Sequence, residues 1–224
     1  MLIVLEGLDG AGKSTQISLL KEHFATLGLE VEYLHFPRFE APVYGDMIAR
    51  FLRGDLGSIE SVHPMLVALL FAEDRRDASR LLREWLESGR VVILDRYIYS
   101  NIAFQCAKIK DKSLAKELRN WIFDLEFEKY KIPVPSLNLF LDVPLGFVGE
   151  KLSESRDGEQ REYLKGKRDI HEADMLFQQS VREIYIEECE KGEGLVRVDC
   201  AAVDGSMLPP GEIFKKILNL FKTT

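Results

Sequence analysis

A glycine-rich loop close to the amino terminus restricts the fold of this chain more than any other feature. Residues 7–15 read Gly-Leu-Asp-Gly-Ala-Gly-Lys-Ser-Thr and directly follow the apolar run 2–5. A strand, then G-x-x-x-x-G-K-[ST], then a helix is the P-loop pattern, in which backbone N–H groups and the helix dipole hold phosphate. A glycine-rich turn with a solvated lysine would give the same letters, but the strand and the amphipathic helix around it favour a nucleotide site.

Apolar, β-branched runs alternate with stretches of helical periodicity along the rest of the chain, which is typical of a parallel sheet with helices on both faces. We expect a P-loop NTPase-type α/β fold, doubly wound, in one domain over residues 1–224. The longest expected helix covers residues 64–88. The pattern fails between residues 150 and 169, where charged residues and glycines dominate, and this predicts a mobile lid at about residues 144–171. The five expected strands are residues 2–6, 30–35, 91–95, 137–143 and 195–199.

Composition excludes several classes of protein. No window approaches the roughly 20 consecutive apolar residues that cross a membrane, and the chain opens without a basic and apolar leader, which predicts a cytoplasmic protein with no membrane partner. The net charge of −7 argues against a nucleic-acid partner, because such proteins present a basic face to the phosphate backbone. The cysteines, Cys106, Cys189 and Cys200, are odd in number and widely spaced, so we expect them to be reduced.

Charged residues near the phosphate loop are candidates for catalysis. Lys13 can reach the β- and γ-phosphates, and the Ser14 hydroxyl can ligate Mg²⁺. Asp95 ends an expected strand, where it could complete the Mg²⁺ shell or cap the next helix, and Arg96 could bridge two phosphate groups. Asp9 lies inside the loop, where a carboxylate is unfavourable unless it meets a metal, a hydroxyl or an arginine. The predicted ATP-binding residues are Gly7, Leu8, Asp9, Gly10, Ala11, Gly12, Lys13, Ser14 and Thr15.

Pairs of residues at helical spacing suggest a second pocket. Phe71 and Arg75 share one helix face, so a ring could stack on a base while a guanidinium donates to its edge; a core phenylalanine beside a surface arginine would fit as well. Asn101 and Gln105 have the same spacing and could read a pyrimidine edge, or could form an ordinary polar helix surface. Arg38 follows an X-Pro turn that we expect to aim it at the crevice, as a clamp for an acceptor phosphate, although a lone arginine there is usually solvated.

Taken together, these motifs resemble the thymidylate kinase family, over most of the chain and in order. The resemblance implies transfer of a phosphoryl group from ATP to dTMP, which gives dTDP for dTTP synthesis, with Mg²⁺ required and a homodimer as the assembly. Another nucleoside or nucleoside-monophosphate kinase of this fold is an alternative. A regulatory nucleotide-binding module is a second one, although the guanine-reading N-K-x-D signature is missing from the sequence. The segments that carry the resemblance are residues 6–15, 36–38, 70–75, 95–97, 100–105 and 169–172.

The same resemblance assigns roles in substrate binding. It places Asp9 on the 3′-hydroxyl of the acceptor sugar and Phe104 close to that sugar. Many relatives carry tyrosine at the latter position, so this departure bears on discrimination against a 2′-hydroxyl. The expected dTMP-binding residues are Asp9, Phe36, Pro37, Arg38, Phe71, Arg75, Arg96, Ser100, Asn101, Phe104 and Gln105.

The remaining positive charge is expected from the lid. One class of the family carries a basic residue within the phosphate loop, whereas positions 8–11 here hold none. An arginine from the lid could replace it at the transferred phosphoryl group, and we rank Arg156 and Arg161 above Arg168. We assign no role to His171 and expect the adenine near residues 199–203. The predicted catalytic residues are Asp9, Lys13, Arg96, Arg156 and Arg161, and the predicted metal ligands are Ser14 and Asp95.

Overall fold

Parallel strands form a twisted sheet in the middle of the protein. The computed structural model describes residues 1–153, 159–165, 169–171 and 174–221, with the backbone alone at 152, 153 and 159–161. The strand order is β2-β3-β1-β4-β5, and every neighbouring pair runs parallel. The predicted α/β fold with a five-stranded parallel sheet is therefore confirmed, and the expected strands differ from the observed ones only at the start of β2 and the end of β4. The strands are β1 (Leu2–Glu6), β2 (Val31–His35), β3 (Val91–Asp95), β4 (Leu137–Asp142) and β5 (Leu195–Asp199).

Helices cover both faces of this sheet. The helix α1 packs against α8 on one face, whereas α3, α4, α5 and α7 pack together on the other. Over the part of the chain that the structure describes, none of the helices is long and apolar enough to cross a membrane. The α-helices are α1 (Lys13–Thr26), α2 (Tyr44–Leu52), α3 (Pro64–Glu87), α4 (Ile98–Cys106), α5 (Lys112–Phe123), α6 (Leu145–Ser153), α7 (Met175–Glu190) and α8 (Pro210–Leu220), joined by a π-helical segment (Asp124–Lys129) and a 3₁₀ helix (Glu159–Leu164).

Strand order determines which loops become neighbours. The central strand β1 pairs with β3 in a register that sets Leu5 beside Asp95. The loop after β1 and the loop after β3 therefore leave the same edge of the sheet side by side. This edge is the carboxyl edge, where ligands bind in open parallel sheets.

A buried carboxylate joins three elements beneath that edge. Glu6, at the end of β1, is fully buried and accepts hydrogen bonds from the Tyr97 N–H at 2.9 Å and the Tyr185 hydroxyl at 3.1 Å. The Ser100 hydroxyl also donates to it. Burial raises the pKa of Glu6, although these hydrogen bonds and Arg96 oppose the shift. The network therefore ties β1, α4 and α7 together below the candidate site.

Candidate active site

A cavity of about 1260 Å³ opens at the carboxyl edge of the sheet. Its floor is the phosphate loop together with the residues that follow β3. Side chains of α3 and α4 form one wall, and the other wall is formed by residues after β2, from α2 and from the segments 162–165 and 169–171. A single cavity thus connects the phosphate loop with the second pocket expected from the sequence.

The phosphate loop curves in a way that requires glycine. Gly12 has a φ of 77° and precedes α1 as its N-cap, a left-handed conformation that residues with a side chain rarely adopt. At Gly7 the φ is 154°, and a Cβ would lie 3.2 Å from the carbonyl oxygen of Leu141. Residues 9–15 line the cavity, whereas the Leu8 side chain is in the hydrophobic core. Of the predicted ATP-binding residues, Gly7 and Leu8 thus shape the loop from below.

Two acid–base pairs occupy the cavity floor. The Lys13 Nζ donates to the Leu8 carbonyl at 3.2 Å and lies 3.7 Å from Asp95 Oδ1. The Arg96 guanidinium donates to Asp9 Oδ1 at 2.8 Å. Burial acts to raise the pKa of Asp9, but the charges of Arg96 and Lys13 outweigh it and lower the pKa to about 2. Asp9 is therefore ionised throughout the physiological pH range.

Arg96 is held in an unusual backbone conformation. Its φ is 69°, in the left-handed region that costs a residue with a side chain on the order of 1 kcal/mol or more and that is concentrated at functional sites. A second hydrogen bond, from Nη1 to Ser100 Oγ at 3.1 Å, fixes the guanidinium from below. The structure therefore brings Asp9, Lys13, Asp95 and Arg96 together as predicted from the two motifs, and the Ser100 hydroxyl supports Arg96 and Glu6.

The second pocket is built around a buried ion pair. Arg75 is only 2% exposed and donates through Nε and Nη2 to Glu126 at 2.5 and 2.7 Å. Arg75 is therefore not the surface arginine of the alternative interpretation. Phe71 and Asn101 line the same part of the cavity, and Asn101 Nδ2 donates to the Ala68 carbonyl and to Glu126.

Further along α4, Gln105 also lines the cavity. Its Oε1 accepts a hydrogen bond from the Lys108 Nζ at 2.7 Å. One of its two amide ends is therefore already engaged within the protein, so a ligand meets a side chain of restricted orientation.

Arg38 takes a different direction from the one expected. The sequence predicted that the turn after Phe36-Pro37 aims it at the crevice, and this orientation is wrong: its guanidinium donates to Asp74 Oδ1 at 2.8 Å and to Asp77 at 2.6 Å. The Arg38 side chain turns towards α3 and not into the cavity, because α3 offers it two carboxylates at hydrogen-bond distance. Phe36 and Pro37 do line the cavity.

Aromatic residues from both walls of the cavity come close together, and the sequence analysis had assigned only one of them, Phe104, to the site. The Phe104 ring lies 5.1 Å from the Arg96 guanidinium and 5.2 Å from the His171 ring. His171 is buried, its Nε2 has no hydrogen-bond partner among the described residues, and burial lowers its pKa well below the usual value. Phe39 stacks on Tyr163 at 3.7 Å. The segment 169–172 carried the family resemblance, and it was the signal that could have assigned His171 to the cavity.

The predicted metal ligands offer oxygen atoms at the phosphate loop. Ser14 is exposed at the start of α1 and lines the cavity, as does Asp95. Asp95 Oδ1 is buried without a hydrogen-bond partner in the described ranges. The alternative that Asp95 caps the next helix is wrong, because α4 begins at Ile98 with Tyr97 as its N-cap. A hydroxyl and a carboxylate oxygen that accepts no hydrogen bond among the described residues suit the oxygen preference of Mg²⁺.

The lid region is described in part. Within it, α6 and the 3₁₀ helix contribute Phe147, Lys151 and Tyr163 to the cavity lining. Arg156 and Arg168 lie outside the described residues. Arg161 belongs to the 3₁₀ helix, but its side chain is also outside the described part of the chain. The choice among these arginines stays a prediction.

A smaller cavity of about 150 Å³ adjoins the outer side of the phosphate loop. We expected the adenine near residues 199–203, but this cavity is bordered instead by the segment that leads into α8. Of residues 199–203, none lines this cavity, so their contact with the adenine stays a prediction. The lining residues are Ala11, Gly12, Thr15, Gln16, Phe147, Met207, Leu208, Pro210 and Ile213.

Comparison with known proteins gives a consistent result. The family model for thymidylate kinase matches residues 5–202. A thymidylate kinase from Mycobacterium tuberculosis is 36% identical over 195 residues, covering 87% of this chain and 88% of its own length. A probable thymidylate kinase from Thermococcus kodakarensis is 36% identical over 197 residues, with 85% and 84% covered. The solved structure of thymidylate kinase from Candida albicans superposes with a TM-score of 0.72 at 26% identity, covering 99% of this chain and 91% of that one.

Proposed function

This chain belongs to the thymidylate kinase family, and we propose that it carries out the family's reaction in the large cavity between the phosphate loop and the Arg75–Glu126 pair. The reaction is the phosphorylation of dTMP to dTDP. The assignment of the site rests on one observation, which is that the cavity runs without interruption from the phosphate loop to the Arg75–Glu126 pair. Its floor holds Lys13 and Arg96 for phosphates, and its far wall holds Phe71, Arg75 and Asn101 for a base.

The acceptor would lie with its base on the far wall. The Phe71 ring stacks on thymine, and Arg75 and Asn101 meet the polar edge of the base. Asp9 accepts a hydrogen bond from the 3′-hydroxyl, while Phe104 and His171 border the sugar. The short distance between Arg96 and Phe104 supports this arrangement, because the proposed phosphate contact and the proposed sugar contact would then be neighbours.

ATP would lie over the phosphate loop. The N–H groups of residues 9–15 and the positive end of α1 hold its phosphates, and the smaller cavity beside α8 is suited to the adenine end, since it adjoins the loop and is largely apolar. The two nucleotides thus approach from opposite sides with their phosphates meeting above Lys13 and Arg96. Phosphoryl transfer needs this in-line placement more than it needs covalent chemistry from the protein.

The cations of this chain would then stabilise the transferred group. Lys13 and Arg96 donate to the equatorial and bridging oxygens, where negative charge develops. Ser14 and Asp95 would hold Mg²⁺, which supplies further neutralisation of phosphate charge. Arg156 or Arg161 would complete the arrangement when the predicted lid closes and excludes water. Arg38 would contribute to the acceptor phosphate only after exchanging its contacts with Asp74 and Asp77.

A homodimer in the cytoplasm and a single domain with a movable lid complete the proposal. Sedimentation of the purified protein tests the homodimer. A dimer that persists at assay concentrations supports it, and a monomer that is fully active contradicts it.

The substrate is tested by comparing dTMP, dUMP, UMP, CMP and thymidine at one ATP concentration with Mg²⁺ present. We expect dTMP to be clearly preferred, and thymidine to be inert because it lacks the acceptor phosphate. Equal turnover of CMP or UMP would favour another nucleoside-monophosphate kinase. ATP hydrolysis that needs no acceptor would favour the regulatory module.

A further inference from the structure

One buried carboxylate contacts both residues that face the base. Glu126 lies in the π-helical segment after α5 and is fully buried. It accepts two hydrogen bonds from Arg75, at 2.5 and 2.7 Å, and one from Asn101 Nδ2 at 3.1 Å. Three donors from two helices, α3 and α4, therefore converge on its two oxygens. Nothing in the sequence pattern had pointed to Glu126.

These contacts determine what Arg75 can offer to a ligand. Because Nε and Nη2 are both engaged with Glu126, the planar guanidinium is fixed in one orientation. The remaining nitrogen, Nη1, is left for the cavity that Arg75 lines. Arg75 therefore presents a donor, and only a donor, at this point of the wall.

The same carboxylate determines the orientation of the Asn101 amide. Its nitrogen faces two acceptors, the Ala68 carbonyl at 3.0 Å and Glu126, so exchanging the positions of oxygen and nitrogen would bring oxygen against oxygen. The Oδ1 atom is buried and has no hydrogen-bond partner within the described part of the chain. An unsatisfied buried acceptor of this kind favours a ligand that supplies an N–H.

A donor from Arg75 beside an acceptor from Asn101 complements one kind of pyrimidine edge. Thymine and uracil present the O4 acceptor next to the N3–H donor, whereas cytosine presents an amino donor next to an acceptor nitrogen. We infer that Glu126 is a positioning residue for base selection, which holds Arg75 and Asn101 in the orientations that accept thymine or uracil and reject cytosine. This inference rests on the proposed position of the base in the cavity.

The test is substitution of Glu126 by glutamine, which keeps the shape and exchanges one acceptor oxygen for a donor NH₂. Three donors then compete for a single oxygen, so Asn101 is no longer restrained. We expect the ratio of kcat/KM for dTMP to that for dCMP to fall about tenfold or more, since unpaired buried polar groups dominate such discrimination. The loss should lie in the KM for dTMP, with kcat little changed, and dUMP should follow dTMP.

Glu188→Gln is the matched control. Glu188 is also a buried carboxylate that accepts two hydrogen bonds from one arginine, Arg119, at 2.9 and 3.0 Å, but it lies on α7 away from the cavity. This variant should keep the dTMP:dCMP ratio whatever its thermal stability. Glu126→Asp is the second variant, because it keeps a negative charge beside Arg75 while its shorter side chain cannot reach both partners. We expect the same direction of change with a smaller size.

The possible outcomes distinguish the proposed base pocket from the role of Glu126 within it. A wild-type enzyme that does not prefer dTMP over dCMP would overturn the proposed base pocket and, with it, the role of Glu126. A wild-type enzyme with that preference, retained in full by both folded Glu126 variants, would overturn the role of Glu126 alone. A drop in the ratio for Glu188→Gln equal to that for Glu126→Gln would identify the effect as general loosening and would also overturn it.

Discussion

Each cationic side chain on the cavity floor is held in position by a neighbouring carboxylate. Lys13 has Asp95 at 3.7 Å, and Arg96 has Asp9 at 2.8 Å. Burial lowers the pKa of Lys13, and the nearby carboxylates oppose this shift without cancelling it. A phosphate that displaces these carboxylates meets cations whose positions are already fixed, which is the preorganisation that electrostatic catalysis needs.

The variant Lys13→Ala tests this preorganisation. We expect kcat to fall by about 10²–10³, the range found when one preorganised donor is removed. The change in the KM for dTMP should be much smaller, because the proposed base pocket is on the far wall and not at Lys13. Steady-state kinetics with both substrates varied provide the measurement, and Lys191→Ala, at the C-cap of α7, is the control. Turnover near that of the wild type would contradict the role of Lys13.

Residues in contiguous motifs could be placed correctly relative to one another from the amino-acid sequence. Asp9, Lys13, Asp95 and Arg96 were placed together because each lies at or shortly after the end of a strand that could be read from its apolar run. Arg38 was misjudged because its partners, Asp74 and Asp77, come from a helix distant in sequence. Glu126 was missed for the same reason, since it lies 51 residues from Arg75 and stands in no recognisable pattern.

Among the secondary-structure elements, strand ends were predictable, whereas the short helix α2 was not. Fully buried strands such as β1 and β3 read as continuous apolar runs. In contrast, α2 has only nine residues, too few for its periodicity to stand out. The π-helical segment that carries Glu126 continues directly from α5, and no residue type marks the change of hydrogen-bond pattern.

Gly45→Ala is an element-scale prediction, since it tests how α2 supports the cavity wall. A Cβ at Gly45 would lie 2.3 Å from the carbonyl oxygen of Phe39, so the backbone that carries Phe39 must move. We expect a loss of about 1–3 kcal/mol in the free energy of unfolding, as for other overpacked sites, and a higher KM for dTMP. Urea unfolding and steady-state kinetics measure the two effects.

Gly211→Ala in α8 is the control for that change. A Cβ there meets no atom within 4 Å, so it should be neutral or stabilising by up to about 1 kcal/mol. If both variants unfold at the same urea concentration, the contact between α2 and the Phe39 backbone is not a determinant of stability.

At the scale of the whole molecule, a partly buried lysine makes stability depend on pH. Burial lowers the pKa of Lys108 to about 7, while the charge of Asp169 opposes the shift. The unfolded chain holds this proton up to a pKa of about 10.4. Between these two values the unfolded state binds more protons than the folded state, so the cost in stability of burying the charged Lys108 is present in full below about pH 7 and decreases as pH rises above it.

Lys108→Met should remove this dependence. We expect the difference in unfolding free energy between wild type and variant to be constant below pH 6 and to shift in favour of the wild type above pH 7, by at most about 1.4 kcal/mol per pH unit. Urea titrations of both proteins at pH 5.5, 6, 7 and 8 provide the comparison. A difference that stays flat across this range would show that Lys108 titrates in the folded protein as it does in the unfolded chain.

The ion pairs of the cavity floor have a consequence for the protein among the anions of a cell. Asp9 and Asp95 already neutralise Arg96 and Lys13, and the chain as a whole carries a net charge of −7. To bind here, inorganic phosphate or sulfate must therefore displace a carboxylate, and these ions have no base or sugar whose contacts with the protein would offset that cost. We expect such ions to be weak competitors of dTMP, so that the enzyme keeps its site available in a solution crowded with simple phosphates.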